Sequence, residues 1–205
     1  MKKLIVLVLA LCLAEVSFAQ LQGGIKAGLN LANFTGDDAD GGKIRLGYHV
    51  GGYLTFDVSD ALSIQPELLI NSLGSKTKES GTDPDLGDYT IEGEIILTYV
   101  TVPVMFIFKL NDQFNIQAGP QLGILIAGKA KYDITSDLIT TSGSEDVKDQ
   151  FKSTDFGINA GLGANFGPVN ASLRYYLGLA DIPDADASVK NSAFMFSLGY
   201  NITKK

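Results

Sequence analysis

Few side chains in this sequence could carry catalysis, and its single histidine is the first to consider. His49 is the only histidine in the chain, so any hydrolase with a Ser-His-acid triad would have to use it. It stands between Gly47 and Gly51, in phase with small and polar residues rather than with apolar ones. The only cysteine, Cys12, falls in a segment that we expect to be removed. We therefore predict no catalytic residue, no cysteine-ligated metal and no cofactor.

Other ionisable residues recur at alternate positions of extended segments, where they share a face with His49. They are Lys26, Arg45, Asp57, Glu67, Lys109, Asp155 and Arg174. Buried ionisable groups must be paired or hydrated. These positions therefore predict a charge network wherever the segments that carry them enclose a common interior.

Two acidic segments offer a different kind of chemistry. Asp37, Asp38 and Asp40 lie in one, and the other carries the set Asp181, Asp184 and Asp186. Carboxylates of this density could bind calcium weakly, but "DDAD" lacks the ligand spacing of an EF-hand. We interpret both segments as solvated loops and predict no metal site.

The segments that position these residues are strands, because apolar and polar side chains alternate with a period of two. The stretch 100–128 shows this most clearly, since two alternating runs flank the polar turn Asn111-Asp112-Gln113 and predict a β-hairpin. The first strand of this hairpin is the fourth strand of the chain, and we predict that it starts as early as Tyr89. In all we predict eight strands, at 23–34, 45–58, 62–75, 89–109, 114–128, 155–166, 169–179 and 192–202.

The predicted connections alternate between short and long. Those after the second, fourth and sixth strands have about two or three residues, whereas the others are long polar loops at 35–43, 76–88, 129–153 and 180–191. Transmembrane barrels combine short periplasmic turns, long extracellular loops and an even strand number. The sequence therefore predicts an all-β fold, an eight-stranded antiparallel up-and-down transmembrane β-barrel with both termini on the periplasmic side.

A soluble barrel such as a lipocalin has the same strand count and period, with its apolar face turned inward. Two features favour the membrane alternative. The polar face is rich in glycine, which a solvated strand surface has no reason to favour. Aromatic residues also cluster at the ends of the apolar bands, like the two interfacial girdles of membrane barrels. These are Phe56, Phe106, Phe108, Phe114 and Phe166 near short turns, and Tyr48, Phe156, Tyr175 and Phe194 near long loops.

The start of the chain has the form of an export signal. Met1-Lys2-Lys3 is charged, residues 4–13 are apolar but too few to span a bilayer, and 17–19 form a small-x-small cleavage site. We predict a cleaved signal peptide at 1–19 and one barrel domain at 20–205, in the cell outer membrane. The formal charge of −7 argues against a nucleic-acid partner.

With these residues in view, the chain resembles the PorT-like outer-membrane β-barrel family of Gram-negative bacteria. The resemblance covers essentially the whole mature chain and rests on "GIKAGLNLANF", "GYHVGGYLTFDVSDALSIQPELL", "YVTVPVMFIFKL", "FNIQAGPQLGILI", "DFGINAGLGANF" and "RYYLGLADI". It implies a small eight-stranded barrel, for most members without an assigned activity. One departure is the C-terminus, where Thr203-Lys204-Lys205 follows Ile202 instead of a terminal aromatic residue.

Three functions stay open at this point. The first is a non-enzymatic barrel with a plugged polar lumen and a structural or interaction role at the cell surface, monomeric and surrounded by outer-membrane lipid. The second is a subunit of an envelope secretion or transport assembly, with other envelope proteins as partners. The third is a lipid-modifying enzyme or a soluble lipocalin-like ligand binder. For the first we predict a structural charge network in the lumen, formed by Lys26, Arg45, His49, Glu67 and Arg174, with Glu67 and Arg174 coupled.

Overall fold

A computed structural model describes residues 21–39, 41–83, 87–136, 140–185 and 187–203. The expected signal peptide with Cys12 lies outside these residues, as do Asp40 and Asp186 of the acidic segments. Within the described part of the chain, no helix has both the length and the apolar composition needed to cross a membrane.

The described residues form nine antiparallel strands and a single 3₁₀ turn at Lys148–Gln150. The strands are β1 Leu21–Thr35, β2 Arg45–Asp57, β3 Leu62–Asp83, β4 Gly87–Lys109, β5 Phe114–Ser136, β6 Thr140–Asp146, β7 Thr154–Phe166, β8 Val169–Gly178 and β9 Lys190–Asn201. All except β6 form a closed ring, in which each strand pairs with its neighbour along the chain, β5 pairs with β7, and β9 pairs with β1. The predicted eight-stranded up-and-down barrel is confirmed. Closure leaves the ring without an edge, as a bilayer requires.

Side chains alternate between the outside and the lumen as predicted. Gln121 is 1% exposed whereas Leu122, its neighbour on β5, is 48% exposed. On other strands Lys26, Glu67 and Arg174 are buried, while the apolar residues between polar positions face outward. A soluble barrel would bury the apolar set and expose the polar one, so this arrangement rules out the lipocalin-like alternative.

The short connections lie together at one end of the barrel, which we call the short-turn end. They are residues 58–61, 110–113 and 167–168, the first two slightly longer than predicted. Asn111 organises the second, because its Oδ1 accepts hydrogen bonds from the backbone N–H groups of Gln113 at 2.9 Å and Phe114 at 2.7 Å. Gly167 has a φ of 62°, which favours glycine there. The opposite end is the long-loop end.

Two segments predicted as polar loops, 76–88 and 129–153, contain strand instead. β3, β4 and β5 continue past the barrel, from Ser75↔Ile95 to Asp83↔Gly87 and from Ile95↔Ala130 to Tyr89↔Ser136. β6 then pairs with the end of β5, so a four-stranded sheet rises from the long-loop end. We call it the sheet extension. The prediction was wrong because the end of β3 and all of β6 carry almost only polar side chains, so they lack the apolar alternation that marks a strand in sequence. The end of β5 keeps only a short alternation, at Ala130, Tyr132 and Ile134.

Candidate functional site: the barrel lumen

The centre of the lumen is occupied by a charge cluster built on Glu67. Its Oε1 accepts hydrogen bonds from Lys26 Nζ at 2.9 Å, Arg174 Nη2 at 2.8 Å and Gln65 Nε2 at 2.6 Å, and its Oε2 accepts one from Arg174 Nη1 at 3.0 Å. Arg174 Nε also donates to Gln117 Oε1 at 2.7 Å. Lys26, Glu67 and Arg174 are each 3% exposed. One carboxylate therefore binds two cations, in the bidentate geometry that arginine favours.

The strand register explains how this cluster forms. Lys26 on β1 pairs with Gly51 on β2, and Gly51 pairs in turn with Leu69 on β3, two residues from Glu67. The strand between the two charged residues thus carries a glycine at this level. Lys26 Nζ also lies 5.7 Å from the centroid of the Tyr53 ring, a cation–π contact.

Arg45 does not join this cluster. Its position opposite Ala32 puts it towards the long-loop end, where its Nε donates to Glu94 Oε1 at 2.9 Å and its Nη1 to Ser72 Oγ at 3.1 Å. The prediction that Arg45 belongs to one charge network with Glu67 is therefore corrected, because Arg45 pairs with Glu94 instead. Glu94 lies in the predicted fourth strand, but it is out of phase with the inward residues Tyr99 and Thr101, so the alternation did not place it with Arg45.

His49 forms a separate polar group with Asn30 and Ser197. Its Nδ1 lies 2.8 Å from Asn30 Oδ1 and its Nε2 lies 2.8 Å from Ser197 Oγ. Asn30 Nδ2 donates to Asn71 Oδ1, so Asn30 Oδ1 is left to accept. We therefore assign the proton to Nδ1, and Nε2 accepts from the Ser197 hydroxyl.

The Ser197–His49–Asn30 group has the order of a nucleophilic triad with an amide in the third place. Ser197 is 6% exposed and His49 is 1% exposed, inside a filled lumen. Gly28 makes room for the imidazole, because a Cβ there would overlap the Phe196 carbonyl oxygen and crowd the ring. A group enclosed in this way positions strands and offers no path for a substrate.

The lumen towards the long-loop end is apolar, which the sequence analysis did not predict. A cluster of buried side chains, here called the apolar plug, fills it; its members are Ala32, Leu73, Leu97, Tyr99, Leu125, Tyr176, Ile182, Ala193 and Met195. Tyr99, Tyr176 and Leu97 have no exposed surface. The expectation of a wholly polar plug is therefore corrected, because these inward positions carry large apolar residues.

Asp155 lies beside the plug and is 2% exposed. Its Oδ2 accepts hydrogen bonds from Tyr176 Oη at 3.0 Å and from Asn191 Nδ2 at 2.9 Å. Asn191 Nδ2 also donates to Tyr99 Oη at 3.1 Å. These bonds join the carboxyl group to the two tyrosines of the plug.

The lumen at the short-turn end is an open polar vestibule of about 990 Å³. Amide and hydroxyl side chains line it, and Lys109 Nζ donates to Asp57 Oδ1 at 2.7 Å. Arg174 lies at its inner end, so the charge cluster separates the vestibule from the plug. Among the described residues, no group of three or more His, Cys, Asp or Glu side chains is arranged to hold a metal ion.

The partners that sequence reasoning missed are Asn30, Ser197, Gln65 and Gln117. All four share the inward phase of the charged residues, so the alternation contains the signal that they face the lumen. The alternation does not give the position of each residue along the barrel axis, because the strand register sets that position.

Residues 18–184 match the family described as Outer membrane protein beta-barrel domain. The chain belongs to this family. It is an outer-membrane β-barrel, as the outward apolar face and the closed ring require. The narrower PorT-like relationship is not part of this match.

Solved structures of other outer-membrane barrels are similar to this one over most of its length. Ail of Yersinia pestis is 18% identical, with a TM-score of 0.44, covering 88% of this chain and 98% of that one. Neisserial surface protein A is 8% identical, with a TM-score of 0.48, covering 88% and 97%. OprG from Pseudomonas aeruginosa is 14% identical, with a TM-score of 0.32, covering 90% and 95%. No curated protein matches the chain. At these similarities, nothing about the ligands or partners of the neighbours carries over.

Proposed function

We propose that this chain is a monomeric, non-enzymatic and non-conducting outer-membrane barrel that acts as a structural or interaction protein at the cell surface. Export through a cleaved signal peptide at 1–19 and the PorT-like relationship belong to the same proposal. Both rest on the sequence patterns described above. Outer-membrane lipid is its first partner, through the apolar outer face.

The filled lumen is the observation that carries this proposal. An eight-stranded barrel is just wide enough for side chains to fill its interior. Here the charge cluster on Glu67 crosses the lumen, and the apolar plug follows it towards the long-loop end. An ion would have to displace Arg174 from a bidentate carboxylate and then pass Tyr99 and Tyr176. A pore function therefore has no open path.

The lumenal histidine also supports a role without catalysis. Both ring nitrogens of His49 are engaged, and Ser197 lies beside it in the enclosed interior. Lipid substrates would approach from the outer face, where alternate positions carry apolar side chains. A lipid-modifying enzyme would need its nucleophile there.

The long-loop end supplies the surface for an interaction role. Transmembrane barrels place long loops outside the cell. On that orientation the sheet extension projects from the membrane with charged pairs on its surface, such as Lys78 with Glu92 at 2.7 Å. Cross-strand bonding gives this surface a fixed shape that a mobile loop would lack.

Planar-bilayer recordings test the closed lumen. We expect no steady conductance from the wild-type barrel or from the lipid-face control Phe156→Ala. The triple variant Arg174→Ala/Tyr99→Ala/Tyr176→Ala removes the arginine that crosses the lumen and the two largest side chains of the plug, and it should conduct measurably. Steady conductance by the wild type would contradict the non-conducting part of the proposal.

Site-specific crosslinking in intact cells separates a surface role from the secretion alternative. A photoreactive residue at Ser144, in the sheet extension, should capture partners at the cell surface. The same residue at Asp112, in a short turn, should capture none. Capture of a defined envelope complex from Asp112 alone would favour the secretion subunit instead.

A further inference from the structure

A second cavity lies outside the lumen, between the sheet extension and the loops at the long-loop end. Its volume is about 790 Å³, within the range of pockets that hold small organic molecules. We propose that this outer cleft binds a small molecule with an apolar body and a protonated amine end. This goes beyond the surface role proposed above, and binding to the purified barrel can be measured whether or not that role is correct.

The walls of the outer cleft are mostly apolar. Phe34, Ile95, Phe151 and Val189 line it, and the same four side chains pack against the apolar plug below. The floor is thereby fixed by buried neighbours, so the cavity is formed before any ligand arrives. A preformed apolar cavity binds with little cost of ordering its own side chains.

The loops around the cleft are held in place by hydrogen bonds. Asp38 Oδ2 accepts one from the backbone N–H of Ser188 at 2.7 Å, which joins the loop after β1 to the loop before β9. Phe151 forms an isolated bridge with Pro183. Each contact joins the loops of two neighbouring strands, β1 with β9 and β7 with β8, so the wall of the cleft that the loops form is held together.

Charge at the rim selects the polar end of the ligand. The charged side chains lining the cleft are the carboxylates Asp38, Glu94 and Asp184 and one ammonium, Lys131. Glu94 is engaged by Arg45, while Asp38 and Asp184 are exposed at the rim. A protonated amine complements this rim and a carboxylate does not.

The absence of tryptophan from the chain makes the binding test direct. The variant Phe151→Trp places a single reporter in the cleft, and Phe34→Trp is a second reporter if the first does not fold. Each is titrated in lipid nanodiscs with three ligands that share one phenylbutyl body: 4-phenylbutylamine, 4-phenylbutan-1-ol and 5-phenylpentanoate. Phe156→Trp on the lipid face reports any partition into the bilayer.

We expect saturable emission changes from the cleft reporter, with the amine binding tightest and the carboxylate weakest. Ala130→Phe should abolish saturation by filling the cleft, whereas Ala160→Phe on the lipid face should leave it unchanged. Asp184→Asn should weaken amine binding about two- to fivefold, as expected for an exposed ion pair, and Asp112→Asn at the opposite end should not. Identical titrations from the Phe156 reporter, equal affinity for all three ligands, or no effect of Ala130→Phe would each overturn the proposal.

Discussion

Replacing the central carboxylate should be far more costly than replacing one of its cations. In Glu67→Gln, Lys26 and Arg174 stay buried and lose the charge that both contact. Breaking a buried ion pair by removing one partner typically costs about 3–5 kcal/mol of unfolding free energy. Because two cations are left uncompensated here, we expect the loss to reach at least the upper part of that range.

The variant Lys26→Met should behave very differently. Glu67 keeps the bidentate Arg174 and the Gln65 hydrogen bond, and the cluster changes from a net charge of +1 to a neutral pair. We expect a loss below about 1.5 kcal/mol, because methionine fills most of the lysine volume and no charge is left without a partner. The double variant Glu67→Gln/Lys26→Met should then be more stable than Glu67→Gln alone.

Urea unfolding in lipid vesicles, followed by far-UV circular dichroism, measures these differences without a tryptophan signal. Glu92→Gln is the matched control, since Glu92 also accepts a hydrogen bond from a lysine but is exposed to solvent in the sheet extension. Its variant should unfold like the wild type, because exposed ion pairs contribute little. Strictly additive losses in the Glu67/Lys26 cycle would refute the argument that one carboxylate holds both cations.

Three further predictions concern topology, the lipid face and pH. A cysteine introduced at Ser144 should react with an impermeant maleimide on whole cells, and one introduced at Asp112 should not. The reverse pattern would show that the barrel has the opposite orientation in the membrane. Leu122→Arg, near the middle of an outward apolar band, should cost about 2–4 kcal/mol of folding free energy, and Gln121→Arg should give a different cost because it faces the lumen. The hydrogen bond from its lysine partner lowers the pKa of Glu92, so that pair should be intact above the carboxyl's ordinary pKa and lost as pH falls through the lowered value. An NMR titration that finds an ordinary Glu92 pKa would contradict the pairing.

Strand positions and side-chain phase could be predicted because they follow from one local rule. Successive side chains on a strand point to opposite faces, so the contrast between Gln121 and Leu122 is fixed by sequence parity alone. A one-residue slip would turn the whole apolar set into the lumen, and the bilayer penalises that strongly. The β3 and β6 parts of the sheet extension could not be predicted by this rule, because they lie outside the bilayer and their side chains, such as Lys78 and its neighbours, are almost all polar.

The partner of each lumenal charge could not be predicted in the same way. The alternation of side chains along each strand shows that Arg45 and Lys26 both face the lumen, but the strand register sets the position of each residue along the barrel axis. Lys26 pairs with Gly51, whereas Arg45 pairs with Ala32, six residues further along β1. That shift brings Lys26 to Glu67 and takes Arg45 to Glu94. Register over a closed ring depends on all eight strands at once, so no local pattern contains it.

The distribution of charge along the barrel gives a physical reason for the non-conducting lumen that we propose. Among the described residues, Lys109 with Asp57 and Arg45 with Glu94 form neutral pairs towards the two ends. Between them the cluster on Glu67 carries one excess positive charge, and Asp155 lies beside the plug with only neutral donors on its Oδ2. The neutral pairs and the excess positive charge therefore lie in separate layers along the lumen. Such an arrangement gives neither cations nor anions a continuous favourable path, which is what a sealed barrel requires.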